Sequence, residues 1–277
     1  MKAIWLTDIH LNFLEHDQID DFLRALSKES ADCFFISGDI GEADSIVDYL
    51  QRIESILGRP FYFVFGNHDF YEGSIKAVRS SVSDFIKTSD KLIWLNEVKY
   101  IGLTEETALI GHDSWADGRL GDFHRSTVEL NDFRLIKELK LWDRNERIKA
   151  MQKLADEAAA HFKRVLPQAL KTHRSLIVLT HVPPFKEACW CRGQPSGSEW
   201  LPFFSCKCVG DVLKSVMKEH PDAEMTVLCG HTHGSGEYKI LPNLQVLTGS
   251  AEYGDPEIQR IIEIDAAMKN EDQHLFD

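Results

Sequence analysis

The sequence predicts an α/β fold: a sandwich of two mixed β-sheets flanked by helices, with a helical insert. The first observation is a set of five short apolar runs, each followed by side chains that can bind a metal. The second is that helical patterns separate the early runs. Strands of parallel sheets are buried on both faces and form continuous apolar runs, and sites assemble at their carboxyl ends. The runs cover residues 4–6, 34–36, 61–65, 176–179 and 227–229.

Helical patterns follow the first two predicted strands. Residues 19–26 carry apolar side chains at spacings of three and four, which is typical of a helix packed on a sheet. Residues 46–57 repeat this spacing, and Gly58 and Pro60 end the pattern. The order strand, helix, strand, helix, strand therefore predicts a parallel sheet with right-handed crossovers.

A second sheet is predicted after a helical pattern at residues 75–86. Closely spaced β-like runs favour antiparallel pairing. These runs cover residues 92–95, 100–103 and 107–110. Residues 238–241, 244–248 and 259–264 are predicted to close the same sheet. The polar loop at residues 111–119 is interpreted as a rim loop, in which His112 and Arg119 are candidates for substrate binding.

Residues 118–172 form the predicted helical, basic insert. Residues 126–129 match a capping box, which predicts a helix start at Ser126. Apolar positions between residues 148 and 165 form a stripe that indicates core packing. The formal charge of the chain is -13, but residues 118–175 hold 13 Lys and Arg against 8 Asp and Glu. This excess is either a set of solvated helix faces or a cap that attracts anionic substrate.

Composition is typical of a globular protein with one domain over residues 1–277. The chain is 43% apolar and 27% charged, and its length is sufficient for a full core. The N-terminus has no pattern of a signal peptide, and no run approaches the roughly 18 apolar residues that span a bilayer. We therefore expect a cytoplasmic protein without a membrane partner; the sequence leaves the oligomeric state open.

The side chains after the strands predict a two-metal site. Asp8 and His10 are two residues apart in an extended segment and point the same way, and His231 and His233 repeat this spacing. Carboxylates mixed with imidazoles suit Mn, Fe, Zn, Co or Ni better than Ca or Mg, and we favour Mn. Seven candidate ligands fit two divalent ions roughly 3.5–4 Å apart that share a carboxylate. The candidates are Asp8, His10, Asp39, Asn67, His181, His231 and His233.

The order of these motifs resembles that of the calcineurin-like metallophosphoesterase superfamily. The family pattern is D-x-H, G-D, G-N-H-D or G-N-H-E, a lone histidine and G-H-x-H, and all parts occur in order between Asp8 and His233. Ser/Thr phosphatases of this superfamily continue the G-D motif into V-D-R-G. Residues 40–43 of this chain do not match that continuation, so we do not expect a protein phosphatase.

The resemblance also implies individual roles. Asp8, His10 and His233 would hold the first ion, Asn67, His181 and His231 the second, and Asp39 would bridge them. The histidine of G-N-H assists catalysis in the family, which gives this role to His68, with Asp69 as its orienting carboxylate. The implied activity is hydrolysis of a small phosphomonoester or phosphodiester by in-line attack of a metal-bridging hydroxide.

Two alternatives to this function remain open. A DNA or RNA nuclease of the same superfamily is less favoured, because long nucleic acids need an extended basic groove and the chain is acidic outside the insert. A non-catalytic scaffold is the other alternative, although a scaffold has no need for a complete ligand set. Histidines 16, 161, 173, 220 and 274 lack such a context and are predicted to lie at the surface.

Four cysteines form a separate pattern. Cys189 and Cys191, and Cys206 and Cys208, are two C-x-C pairs separated by 14 residues. Four thiolates at this spacing can hold a structural zinc ion, but C-x-C pairs are less diagnostic than C-x-x-C pairs. Zinc binding, disulfides and reduced thiols all remain open.

Overall fold

A computed structural model describes residues 1–191 and 193–264. Its strands are β1 (Lys2–Leu6), β2 (Cys33–Ser37), β3 (Phe61–Val64), β4 (Leu92–Trp94), β5 (Ile101–Gly102), β6 (Thr107–His112), β7 (Ser175–Thr180), β8 (Trp190–Cys191), β9 (Gln194–Pro195), β10 (Glu224–Cys229), β11 (Gly236–Leu241), β12 (Leu244–Thr248) and β13 (Arg260–Glu263). Its α-helices are α1 (His16–Lys28), α2 (Ile46–Leu57), α3 (Ile75–Ile86), α4 (Asp132–Leu135), α5 (Arg144–Ala169), α6 (Leu201–Phe204) and α7 (Lys207–Glu219). The predicted fold class, two mixed sheets flanked by helices, is confirmed.

The first sheet has the strand order β13, β1, β2, β3, β4. β1 to β4 are parallel, as the alternation of strands and helices predicts. Two predicted strands belong here rather than in the second sheet. β4 pairs parallel with β3, and β13 pairs antiparallel with β1, next to a hydrogen bond from the Gln259 backbone N–H to the Trp5 carbonyl. The spacing of short runs therefore did not identify their sheet.

The second sheet has the strand order β11, β12, β10, β7, β6, β5. Its four central strands are parallel, and β5 and β11 add antiparallel edges. The strands predicted at residues 238–241 and 244–248 are present as β11 and β12, which pair antiparallel. β8 and β9 form a separate two-stranded ribbon after β7.

Side chains that alternate along each strand build two apolar layers. Trp5 and Phe35 face the second sheet, where they pack in one cluster with Leu179 and other residues. Their neighbours, such as Phe34, belong to the larger cluster that the sheets form with the helices. Because both faces are covered, the central strands need an unbroken apolar sequence. This burial holds the strand ends, and the side chains after them, in fixed positions.

The insert is less helical than predicted. No helix starts at Ser126; its hydroxyl instead accepts from the Val128 N–H and donates to the Glu199 carbonyl, so the predicted capping box closes a turn. Helices within the insert begin only with α4 and α5. Most of the apolar stripe of α5 is buried, as predicted, and α5 packs against β6 and α7. No helix in the described part of the chain combines the length and apolar character needed to cross a bilayer.

Two arginines of the insert have structural contacts. Arg144 donates to the carbonyls of residues 123 and 126 and lies over the Phe123 ring. Arg147 donates to Glu129 and lies over the Phe133 ring. These contacts fix the irregular segment before α5, and for these two arginines they conflict with the alternative that the basic excess of the insert attracts anionic substrate.

Candidate metal centre

The seven predicted ligands converge at one end of the sandwich. Asp8 and His10 follow β1, Asp39 follows β2, Asn67 follows β3, His181 follows β7, and His231 and His233 follow β10. Five of them are buried to 94% or more, and His231 and His233 are partly exposed. Both sheets therefore contribute to one site, as expected where the carboxyl ends of parallel strands meet.

Four ligands form the first group. The coordinating atoms of Asp8, His10, Asp39 and His233 all lie within 4.8 Å of one another. The His10 and His233 Nε2 atoms are 3.2 Å apart, and His233 Nε2 lies 3.4 Å from Asp8 Oδ1. These distances suit a shared cation.

Three further ligands form the second group. Asn67 Oδ1 lies 3.1 Å from His181 Nε2 and 2.9 Å from His231 Nδ1. The two imidazole nitrogens are 3.2 Å apart. Asp39 Oδ2 lies 3.4 Å from His181 Nε2 and 3.8 Å from His10 Nε2. Asp39 is therefore close to both groups, in the position that a bridging carboxylate needs.

Hydrogen bonds behind the second group direct lone pairs into it. His181 Nδ1 donates to the Ser37 carbonyl at 2.9 Å, and His231 Nε2 donates to the Phe203 carbonyl at 2.9 Å. In these tautomers, the opposite ring nitrogens carry lone pairs. Two such nitrogens next to an amide oxygen repel one another unless a cation lies among them. The donor set therefore fits a metal ion, since metal-binding histidines commonly donate their second N–H in this way.

A hydrogen-bonded triangle fixes Asn67. Its Nδ2 donates to Asp132 Oδ1 at 2.9 Å and to the Tyr71 hydroxyl at 3.1 Å, and that hydroxyl donates to Asp132 Oδ1 at 2.7 Å. Both amide hydrogens are therefore used, which leaves Oδ1 to face His181 and His231. Asp132 begins α4, so the insert supports the metal centre from outside the ligand set.

The backbone is strained at five of the seven ligands. These residues have left-handed φ angles between 40° and 70°: Asp8, His10, Asp39, His231 and His233. A left-handed conformation is uncommon for residues other than glycine and costs about 1–3 kcal/mol. Buried strands and hydrogen bonds on both sides maintain it. Such strain is concentrated at functional sites, which supports a functional role for this end of the sandwich.

The charges of the site suit cation binding. Burial lowers the pKa of His10 to about 4, although Asp39 and Asp8 oppose this shift. Burial also lowers the pKa of His231 to about 4. Burial alone would raise the pKa of Asp8, but the hydrogen bond and charge of His233 and the charge of His181 lower it to about 2. Burial opposes the charged form of His181, but the charge of Asp39 and the hydrogen bond to it raise the pKa of His181 to about 10; against burial, the hydrogen bond and charge of Asp8 likewise raise the pKa of His233. Neutral imidazoles and ionised carboxylates are the forms that ligate metals, so metal binding would displace a proton from these two rings.

Asp69 does not orient His68, so that prediction is wrong. Its carboxylate instead accepts from the backbone N–H groups of Asp39, Ile40, Gly41 and Gly66. This role ties the end of β2 to the end of β3 and positions Asp39.

Neighbouring aromatic rings position the His68 side chain. It stacks on Tyr71 with centroids 4.1 Å apart and lies 4.5 Å from the His10 ring. Its backbone N–H donates to Asp39 Oδ1, and its buried Nδ1 has no hydrogen-bond partner among the described residues. The imidazole therefore lines the cleft above the metal centre without a carboxylate partner.

The two predicted rim residues lie elsewhere. His112 is buried at the end of β6, where its Nδ1 accepts from the Ser114 N–H and its ring packs against His161. Arg119 forms ion pairs with Asp117 and Asp156. Neither His112 nor Arg119 lines the cleft, which conflicts with a role of these two residues in substrate binding.

The four cysteines do not assemble into one zinc site. Cys189 is buried and donates to the Phe204 carbonyl at 3.0 Å. The Cys206 and Cys208 sulfur atoms are 3.7 Å apart and form a group with Asp117 that includes neither Cys189 nor Cys191. All four are free thiols, so the alternative of disulfides is also not observed.

An open cleft of about 520 Å³ lies above the metal centre. Asp39, Asn67, His68, His231 and His233 form its floor. Loops and the short helices α4 and α6 supply its walls, which include Tyr71, Asp132, Trp200, Phe204 and Tyr253. No sequence pattern marks these wall residues as functional. None belongs to the family motifs, and their contacts join segments far apart in the chain.

A profile of the calcineurin-like phosphoesterases matches residues 1–235, which include the whole ligand set. The chain belongs to this family. The resemblance that the motifs indicated is therefore confirmed. Two curated relatives of this chain are named UDP-2,3-diacylglucosamine hydrolase. The protein of Stenotrophomonas maltophilia is 33% identical over 95 residues, which are 30% of this chain and 38% of that protein. The protein of Photobacterium profundum is 31% identical over 86 residues, 27% of this chain and 35% of that protein. The chain thus spans just over a third of the length of these relatives.

Solved structures resemble this chain over most of its length. A phosphopantetheinyl hydrolase from Mycobacterium tuberculosis has a TM-score of 0.66 at 12% identity, covering 91% of this chain and 89% of that chain. A dimetal phosphatase from Danio rerio has a TM-score of 0.56 at 16% identity, covering 90% of this chain and 87% of that chain. At these identities the likeness establishes the fold.

Proposed function

We propose that the chain is a hydrolase of small phosphoesters that uses two divalent transition-metal ions, with manganese as the favoured metal. The convergence of Asn67 Oδ1, His181 Nε2 and His231 Nδ1, with their N–H groups directed elsewhere, carries this proposal. Asp8, His10 and His233 would hold the first ion, and Asp39 would bridge the two. When bound, divalent cations supply Lewis-acid activation of water and of phosphoryl oxygens.

The residues of the chain set the charge and position of the reacting groups. Asp8 and Asp39 contribute two negative charges, so two divalent ions held here would leave a positive surplus, which would favour binding of a phosphoryl group. His68 lines the cleft and stacks on Tyr71, so its ring orientation is fixed. We assign it the transfer of a proton to the departing alkoxide.

The two alternatives receive less support from the site. A nuclease needs a basic groove, whereas Arg144 and Arg147 beside the cleft are committed to Glu129 and to backbone carbonyls. A scaffold needs neither strained ligands nor oriented lone pairs.

A comparison of two substrates tests the proposal. The manganese-supplemented protein is assayed with an aryl phosphomonoester and a bis-aryl phosphodiester, with and without a chelator. We expect chelator-sensitive hydrolysis of at least one ester, and the ratio of the two rates indicates the ester class. Undetectable turnover of both esters at two metal ions per chain would support the scaffold instead. Salt-dependent oligonucleotide binding and cleavage would support the nuclease.

A further inference from the structure

Exposed aromatic side chains are concentrated at the cleft. Seven large apolar side chains in the described residues are exposed, and three of them, Phe13, Trp200 and Tyr253, lie at or beside this cleft. Their exposed fractions are between 43% and 50%. Apolar surface that is grouped beside a polar reaction centre indicates a contact with a ligand rather than the scatter that is normal on a protein surface.

One aromatic pair lies at the second metal group. The Phe204 ring contacts His231 edge to face at 5.3 Å. Trp200 stacks on Phe204 with centroids 5.1 Å apart and an interplanar angle of 29°. Trp200 is thereby supported on one face while much of its surface remains open to the cleft.

A second aromatic pair lies at the first metal group. The Tyr253 ring is 4.7 Å from His10 and 5.1 Å from His233, and Phe13 packs against it at 4.5 Å. The two pairs therefore stand beside opposite ends of the ligand set. A phosphoryl group held by both metal groups would direct its ester substituent outward between Trp200 and Tyr253.

The other wall residues limit the charge of that substituent. Glu129 and Asp132 are the described acidic side chains at the walls, and Asn131 is a neutral neighbour. Arg144 and Arg147 face Glu129 and backbone carbonyls, so they do not offer positive charge to the cleft. A second phosphate on the substrate would meet carboxylates, whereas an uncharged planar ring would meet aromatic faces.

We propose that Trp200 and Tyr253 form a subsite for a planar, uncharged aromatic ring, such as a nucleobase, on the leaving group of a phosphoester with a single phosphoryl group. This inference rests on the proposed phosphoester hydrolysis, because the phosphoryl position defines where the leaving group lies. Aromatic rings stack on bases of any sequence, so the subsite selects the ring class rather than one base.

Adenosine 5′-monophosphate and ribose 5-phosphate are the two probes that test it. Both carry the phosphate on the same primary alcohol, and they differ in the base. Dissociation constants for the manganese-loaded protein are measured by calorimetry at low temperature, and initial rates are measured in parallel. The base preference is the ratio of the dissociation constant of ribose 5-phosphate to that of adenosine 5′-monophosphate. We expect this ratio to be roughly 100, and we expect Trp200→Ala and Tyr253→Ala each to reduce it roughly tenfold.

Three further variants separate stacking from other effects. Trp200→Leu keeps an apolar side chain without a planar ring and should lose most of the ratio. Tyr253→Phe keeps the ring and should preserve the ratio. Trp142→Ala removes a 99% exposed tryptophan outside the cleft lining, and it is the matched control, with the parent ratio expected.

The two measurements distinguish this inference from the proposed function. Hydrolysis of both esters with equal affinities would overturn the subsite and leave phosphoester hydrolysis intact. A ratio of the two dissociation constants in Trp200→Leu equal to that of the parent would also overturn the subsite, because an apolar contact without a planar ring would then be sufficient. Base-selective binding that is lost in Trp200→Ala supports the subsite even where neither ester is hydrolysed, and the absence of hydrolysis of any phosphoester then counts against the proposed function alone.

Discussion

The floor and the walls of the cleft are built in different ways. Floor residues such as Asp39 and Asn67 directly follow buried parallel strands, and their motifs occupy a few consecutive positions. Wall residues such as Asp132, Trp200 and Tyr253 come from three separate segments without a common pattern. The comparison indicates that the reaction chemistry is encoded by short local sequences, whereas the choice of substrate depends on how distant loops pack.

The two regions also differ in rigidity. At the floor, contacts such as the hydrogen bonds that the Asp69 carboxylate accepts from four backbone N–H groups maintain left-handed backbone angles. At the walls, Trp200 and Tyr253 have more than 40% of their surface exposed. Changes at the predicted metal ligands of the floor should therefore remove metal and activity together, whereas changes at the exposed aromatic side chains of the walls should alter affinity and selectivity.

The largest effect is expected for Asp39→Asn. This substitution removes the charged ligand that lies near both metal groups, so both ions should be lost and activity should fall by more than the roughly 10–100-fold cost of losing an outer-shell partner. Metal content per chain, measured by elemental analysis, is the test. Asp21→Asn, at a carboxylate whose side chain is 81% exposed, is the matched control and should retain both ions. Two ions per chain in Asp39→Asn would exclude a bridging role.

His68→Ala should retain both ions but lose rate in a manner that depends on the leaving group. General acid catalysis typically contributes ~10²–10⁴-fold, and the need for it rises with the basicity of the departing oxygen. We expect a small loss on nitrophenyl esters and a loss in this range on esters of ordinary alcohols. Tyr71→Phe keeps the stacked ring but removes the hydroxyl that contacts Asn67, so its metal content is measured beside its rate. Equal losses on both ester types would indicate that His68 acts on the bound phosphoryl group instead.

Asp132→Leu should weaken the second metal site. Without the carboxylate, the Asn67 amide is free to rotate, and loss of such a supporting partner typically costs ~10–100-fold in metal affinity. Titration of the metal-free protein by calorimetry measures this change separately from activity. Asp132→Asn retains an acceptor oxygen for Asn67 and Tyr71 and should recover most of the affinity. An unchanged second site in Asp132→Leu would show that Asn67 needs no support from the insert.

The physical basis of these contacts explains which features were predictable. Asp8 and His10 were identified because strand ends converge wherever parallel strands are buried, so a local pattern determines a global position. Asp69 was assigned to the wrong partner, since adjacency to His68 in sequence does not make their side chains meet when backbone N–H groups compete for the carboxylate. Asp132 was missed because its contact with Asn67 spans 65 residues and depends on the packing of the insert.

The histidines show the same limit of local sequence. His161 was predicted to lie at the surface, but it is 95% buried beside His112 in the packing of α5 against β6. His274 lies outside the described residues. A histidine outside any motif can therefore be a core residue. Its burial makes the stability of the protein depend on pH, and it does not indicate metal binding.

The smallest effect is expected for His161→Phe. Burial and the nearby charge of Arg164 lower the pKa of His161 to about 4 in the folded chain, below the ~6.5 of an unfolded histidine. Because its pKa is lower in the folded chain, His161 takes up a proton in the unfolded chain first as the pH falls. The stabilising contribution of the neutral ring is therefore present above pH ~6.5 and is lost as the pH falls toward 4. The free energy of unfolding falls by up to about 1.4 kcal/mol per pH unit in this range. Urea unfolding at pH 7.5 and 5 measures the effect, and the use of metal-free protein excludes the pH dependence of metal binding from the measured stability. His161→Phe should lose less stability on acidification than the parent, whereas His124→Phe, at an exposed histidine, should behave as the parent does. An identical acid sensitivity of His161→Phe and the parent would mean that the packing of α5 on β6 relaxes enough to hydrate the charged imidazole, and the acid lability would then lie with the floor histidines.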